Sequence, residues 1–176
     1  MTSSWGEVWF QVAFAVAQRS KCDRAQVGAV IVDNKMRVIA TGYNGPAAGY
    51  KAEGGCLNWC KRAKGSTVLT GAYDGCPSIH AEANALLYVD RSKTEGATMF
   101  ITHPPCFSCA KLISNSGIIS VLAVERETDS HREPNKIYEY LKTCGIQAGS
   151  IKEEQWLKQL STIQQRGVNP VKSLDQ

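Results

Sequence analysis

Four side chains in this sequence are of types that do hydrolytic chemistry around a metal. They are His80, Glu82, Cys106 and Cys109, set in Ile79-His80-Ala81-Glu82-Ala83-Asn84-Ala85 and Pro104-Pro105-Cys106-Phe107-Ser108-Cys109. Cys106 and Cys109 lie three apart, a spacing that puts both thiolates on one helical face and lets them grip one ion. Pro104 and Pro105 suit the entry to a helix, where the N-terminal dipole favours thiolates. His80 opens a second apolar-periodic segment, Ala81, Ala85, Leu86 and Val89, so two helix starts can bring an imidazole and two sulfurs to one Zn²⁺. Three protein ligands leave a fourth position for water, whose pKa the metal lowers from about 15.7 towards roughly 7. Glu82, in the first turn after His80, can then stand beside the metal without binding it and move protons between water and substrate. The competing reading is a closed structural site with another cysteine as fourth ligand and Glu82 on the surface.

These residues need elements to carry them. Periodicity predicts helices over residues 5–20, 80–90, 106–116, 136–143 and 153–166 and strands over 25–32, 37–43, 97–102, 118–124 and 146–151, the last at a sheet edge. The first helix is expected to align Val8, Val12, Ala15 and Val16 along one side. Ile137, Tyr140 and Leu141 should face inward from the fourth, and Trp156, Leu157, Leu160 and Ile163 supply the apolar positions of the last. Asp33-Asn34-Lys35 makes the first two strands a hairpin, while Gly117 and Cys144-Gly145 mark helix ends. The order α-β-β-α-β-α-β-α-β-α implies an α/β fold, a five-stranded mixed sheet with helices on both faces. At 176 residues with 43% hydrophobic content, the chain reads as one domain over residues 1–166, followed by a tail, 167–176.

A formal net charge of +4 makes no case for a nucleic-acid or membrane partner. No apolar run approaches about 18 residues, so no membrane span is expected. Residues 8–17 are apolar apart from Gln11, but residues 1–7 hold Glu7 and no Lys or Arg, the opposite of a secretory leader. Seven cysteines, an odd number that includes a metal pattern, suit a reducing, cytoplasmic compartment. The Gly-rich run Gly42-Tyr43-Asn44-Gly45-Pro46-Ala47-Ala48-Gly49 contains no dinucleotide or phosphate-loop pattern. Residues 50–79 form a long connection holding Cys56, Cys60 and Cys76. With Cys22 these could make a second, structural Cys₄ zinc site; the alternative is a set of buried free thiols.

With these segments in place, the chain resembles the cytidine deaminase-like superfamily and, within it, the deoxycytidylate (dCMP) deaminases, over about residues 12–145. The resemblance is carried by the metal pattern, Ser20-Lys21-Cys22, Val27-Gly28-Ala29-Val30-Ile31-Val32, Gly42-Tyr43-Asn44-Gly45, and Ala110-Lys111-Leu112-Ile113 with Gly117-Ile118. It implies the three-layer fold of that superfamily, a catalytic Zn²⁺ on His80, Cys106 and Cys109, and Glu82 as proton shuttle. The implied reaction is hydrolysis of a deoxycytidine nucleotide, dCMP and water giving dUMP and ammonia. It further implies that Asn44 contacts the sugar and that Arg24 and Lys21 lie near the phosphate. The alternatives are a turn residue tolerating positive φ beside Gly45 and two solvated cations.

Some phage members of the family carry a second zinc with cysteines matching Cys22 and Cys56, and Cys60 and Cys76 would stand in for its histidines. The resemblance also implies a homo-oligomer, typically a hexamer, regulated in some members by dCTP and dTTP. Two positions depart from the family. Its usual loop proline falls one position after Pro46, and a usual tyrosine aligns with Thr128. These departures leave room for a related substrate, dCTP or a 5-substituted dCMP. A deaminase of polynucleotide bases and a non-catalytic, zinc-stapled binding module are the competing functions; the low net charge argues against the first and Glu82 against the second.

Overall fold

The structure, a computed structural model, describes residues 3–50, 56–60 and 76–165. Helix α1 (Trp5–Ala17) starts on a reciprocal cap in which the Glu7 N–H donates to Ser4 Oγ at 3.3 Å and the Ser4 N–H donates to the Glu7 carboxylate at 2.6 Å. Strands β1 (Gly28–Val32) and β2 (Val38–Tyr43) form the expected hairpin. The chain continues through β3 (Gly45–Pro46), the single turn α2 (Cys56–Trp59), β4 (Ser78–Ile79), α3 (Ala81–Leu87), α4 (Arg91–Thr94), β5 (Thr98–Ile101) and α5 (Phe107–Ser114). It ends with β6 (Ser120–Glu125), a 3₁₀ segment (Glu127–Arg132), α6 (Pro134–Thr143), β7 (Gln147–Lys152) and α7 (Glu153–Gln165).

The main sheet has the order β2-β1-β5-β6-β7, with β1 antiparallel to both neighbours and β5, β6 and β7 parallel. Parallel neighbours need crossovers, which α5 and α6 supply. Strand alternation sends Ala29, Ile31, Met99, Ile101 and Val121 to one face, against Ala81, Ala85, Ile113 and Leu141 of α3, α5 and α6. Val30, Val32, Phe100 and Val124 face the other way, onto Phe10 and Ala13 of α1 and Trp156 of α7. The three-layer α/β architecture read from the sequence is therefore present. Among the described residues no helix is long and apolar enough to cross a membrane.

Several expectations need correction. Helix α1 buries Phe10, Ala13 and Ala17, whereas Val8, Val12 and Val16 are half-buried and Ala15 is exposed. The helix is apolar on almost every side, so periodicity alone selects no face. Gly28 selects it: a Cβ there would stand 2.0 Å from the Ala13 carbonyl oxygen and 2.8 Å from the Ala17 nitrogen. The His80 helix stops at Leu87, and α4 is a separate turn. In α6, Tyr138 joins Ile137 and Leu141 in the core, while Tyr140 is half-buried with its ring 4.8 Å from that of Phe107. Leu157 is 58% exposed, because Trp156 and Leu160, four apart, take the core side of α7. Strand β1 begins at residue 28 because the Asn44 amide replaces the ladder before it. Asn44 Oδ1 accepts the Val27 N–H at 2.8 Å and Nδ2 donates to the Ala25 carbonyl at 2.9 Å. Most of the long connection, the side chain of Ile163 and the expected tail fall outside the described residues.

Candidate active site

His80 and Cys106 are both N-cap residues with extended backbone, His80 opening α3 and Cys106 opening α5. Pro104 and Pro105 bring the chain into α5, and the Cys106 sulfur caps it by accepting the Cys109 N–H at 3.5 Å. His80 Nδ1 lies 3.4 Å from the sulfur of Cys106 and 3.4 Å from that of Cys109. The three ligand atoms all fall within 4.8 Å of one another. Zinc bond lengths of about 2.0–2.3 Å at tetrahedral angles separate ligand atoms by roughly 3.5–4 Å, so this donor set fits zinc in type and spacing.

Helix α3 reaches this position because residue 42 of β2 is glycine. A Cβ on Gly42 would stand 2.2 Å from the Ala81 carbonyl oxygen and 2.5 Å from the Ala85 nitrogen. The first glycine of Gly42-Tyr43-Asn44-Gly45 thus admits the helix that carries His80 and Glu82.

The two thiols are coupled. Cys106 is held down to about 4, first by the neighbouring Cys109 thiol and then by His80 and the Cys109 N–H, against the opposing pull of burial. Cys109 is pushed up by Cys106, by burial and by Glu82. The pair therefore holds one thiolate and one thiol, and binding a divalent ion requires only the second proton to leave. Glu82 is 4% exposed and lies beside Cys109, not on the surface.

His80 and Glu82 line a cavity of about 240 Å³ together with Arg24, Asn44, Ser78, His103, Arg126, Thr128 and Asp129. Asn44 is not among the non-glycine residues with positive φ, so it is no left-handed turn residue; it bridges β1 and β2 from the cavity wall. Arg24 lies on that wall. Lys21 is not among the lining residues, and its carbonyl accepts the Cys56 N–H at 3.1 Å.

Cys22, Cys56, Cys60 and Cys76 also line the cavity. The sulfurs of Cys60 and Cys76 are 3.8 Å apart, and that of Cys56 accepts the Asp23 N–H at 3.2 Å and interacts with Cys22. Burial pushes Cys56 up to about 11 and also raises Cys76. The four make two close contacts, Cys22 with Cys56 and Cys60 with Cys76, which adjoin because Cys22 also acts on Cys76. Among the described residues only His80, Cys106 and Cys109 bring three ligand atoms within 4.8 Å. Sequence reasoning missed His103 and Arg126, which belong to no motif. Their only sequence signal is position, just beyond the carboxyl ends of β5 and β6, where open parallel sheets place their ligands.

Residues 3–125 match the family model described as the cytidine and deoxycytidylate deaminase zinc-binding region. Deoxycytidylate deaminase of Mycobacterium phage D29 is 44% identical over 122 residues, covering 67% of this chain and 92% of the relative. The enzyme of the same name from Enterobacteria phage T2 is 36% identical over 180 residues, covering 83% of this chain and 92% of its own. The crystal structure of dCMP deaminase from cyanophage S-TIM5 in complex with dCMP and dUMP superposes with a TM-score of 0.61 at 26% identity, over 86% of this chain and 99% of that one. With both halves of the metal pattern inside the matched stretch, the chain belongs to the zinc-binding cytidine and deoxycytidylate deaminase family.

Proposed function

We propose that this protein hydrolyses dCMP to dUMP and ammonia. The observation that carries the reading is the convergence of His80, Cys106 and Cys109 on one point with a buried carboxylate, Glu82, beside it. Zinc held by those three residues would supply a Lewis acid that makes water nucleophilic near neutral pH. Glu82 takes a proton from the attacking water and delivers it to the ring nitrogen of cytosine, then serves the departing amino group in the same way. A C–O bond forms at C4, the C–N bond to the amino group breaks, and ammonia leaves. Asn44 has one Nδ2 hydrogen engaged with Ala25 and can offer the other to the sugar. Arg24, which lines the cavity, would meet the phosphate, while Lys21 is not among the lining residues. The naming of the phage relatives and the dCMP and dUMP bound in the cyanophage enzyme support the same reaction.

The same reading includes a structural zinc on Cys22, Cys56, Cys60 and Cys76, a single domain over residues 1–166, a homo-oligomer of hexameric type and a cytoplasmic location. The decisive assay measures ammonia released from dCMP, CMP, dCTP and 5-methyl-dCMP by the zinc-loaded protein. The expected result is stoichiometric dUMP and ammonia with dCMP preferred. Release from none of the four, with zinc present at His80, Cys106 and Cys109, overturns the reading.

A further inference from the structure

The cavity wall built by the ends of β5 and β6 carries a chain of side chains that the hydrolytic step does not use. His103 is 3% exposed; its Nε2 lies 2.8 Å from Arg126 Nη1 and its Nδ1 lies 3.1 Å from Thr102 Oγ1. A guanidinium has no acceptor and keeps its protons, so Arg126 is the donor and Nε2 the bare nitrogen. Nδ1 therefore holds the ring hydrogen and donates it to Thr102, whose Oγ1 also accepts the Gly28 N–H at 3.0 Å. From the opposite side, Arg126 Nε donates to Glu153 Oε1, at the start of α7, at 2.6 Å. The Arg126 backbone N–H is held too, by Asp129 Oδ2 at 3.0 Å.

The guanidinium is thus fixed by a neutral imidazole on one edge and a carboxylate on another. Neither bond uses Nη2. A fixed planar fork with N–H groups to spare matches two oxygens of a phosphate, and fixing it beforehand removes the entropy that a free arginine would lose on binding. The location agrees with this. Asn44, just after β2, and Arg126, just after β6, stand at the same end of the sheet and line the same cavity.

We propose that Arg126 binds the 5′-phosphate of the nucleotide and that His103 and Glu153 are its positioning residues, so that this chain of contacts makes the enzyme prefer a nucleotide over a nucleoside. The inference rests on the dCMP reading above. It adds to Arg24 a second cation, one whose orientation is set by the protein.

The test compares kcat and KM for dCMP and for deoxycytidine in the wild-type protein and in Arg126→Gln, Arg126→Lys and His103→Gln. Loss of charge-assisted hydrogen bonds should raise KM for dCMP by about 10- to 100-fold in Arg126→Gln and lower the dCMP-to-deoxycytidine ratio of kcat/KM at least about tenfold. Arg126→Lys should recover part of the ratio, since it restores charge without the fork. His103→Gln should move KM for dCMP in the same direction by a smaller factor. Equal losses on both substrates, or no loss on dCMP, overturn the proposal. If the wild-type protein releases no ammonia from dCMP, the deamination reading fails separately. Calorimetry with dUMP and deoxyuridine then decides the present proposal: Arg126→Gln must weaken dUMP binding and spare deoxyuridine, and any other pattern overturns it.

Discussion

Two clusters of candidate metal ligands lie at one end of the sheet, and they are built differently. His80, Cys106 and Cys109 stand on the first turns of α3 and α5, helices that lie on the sheet through Ala81, Ala85, Ala110 and Ile113. Cys22 stands on the segment after α1, Cys56 at the start of the one-turn α2, Cys60 just past its end and Cys76 just ahead of β4. The first set shares its protons so that Cys106 is already a thiolate, while burial keeps Cys56 and Cys76 protonated. Ligands mounted on packed helices arrive with their geometry fixed. Those mounted on short segments come in pairs, and in the proposed holoprotein an ion would draw the pairs together. On the function proposed above, the difference separates a site organised to do chemistry from one organised to hold the chain in place.

The largest expected effect tests the buried carboxylate beside the first cluster, Glu82. Glu82→Gln should lower kcat for dCMP by about 10²- to 10⁴-fold, the range for losing a general acid–base group. Metal analysis should still find zinc at His80, Cys106 and Cys109. Parent-level ammonia release from a zinc-loaded variant would remove Glu82 from the mechanism. Next in size is Gly42→Ala, which attacks the mounting of α3. The new Cβ meets backbone atoms that cannot turn aside, so a destabilisation of about 1–3 kcal/mol is expected by chemical denaturation. Zinc at the His80 cluster should become easier to chelate, with the cysteine cluster little affected.

Much of this was legible in the sequence because the first cluster is local. A histidine and a cysteine at helix starts leave periodic and proline signals that need no knowledge of distant contacts, and the order of apolar runs, turns and helices assigned the sheet. What stayed hidden depends on the partner across the interface. The buried face of α1 was set by Gly28, since apolar residues on almost every side of the helix made Val8 and Phe10 equivalent by pattern. The side-chain bridge from Asn44 to Val27 and Ala25 shortened β1, and its spacing of 17 and 19 residues has no periodic signature. His103, Arg126 and Glu153 come from three separate segments, so only the folded sheet unites them.

A smaller effect sharpens the comparison from the side of the second cluster. Cys60→Ser removes one sulfur of the Cys60–Cys76 pair and should cost the protein one zinc per chain with a fall in Tm of about 5 °C. Activity on dCMP should change by no more than a few-fold. A loss as large as that of Glu82→Gln would mean that the four cysteines hold the reacting ion, and the roles assigned to the two clusters would have to be exchanged.

The finest distinction is in pH. Zinc binding at His80, Cys106 and Cys109 must displace one thiol proton at neutral pH, whereas the other cluster must displace at least those of Cys56 and Cys76, both raised above their ordinary value of 9.0 by burial. Protons therefore compete more steeply at the second cluster, and zinc content followed downward from pH 8 should fall there first. Simultaneous loss of both ions would erase the electrostatic difference between them. In the metal-free protein the same burial has the opposite face. Between about 9 and about 11 the folded chain keeps the Cys56 proton that the unfolded chain has released, so stability is full below that window and declines as pH rises through it. Denaturation midpoints at pH 8 and pH 10.5 should show this decline, and Cys56→Ala should reduce it.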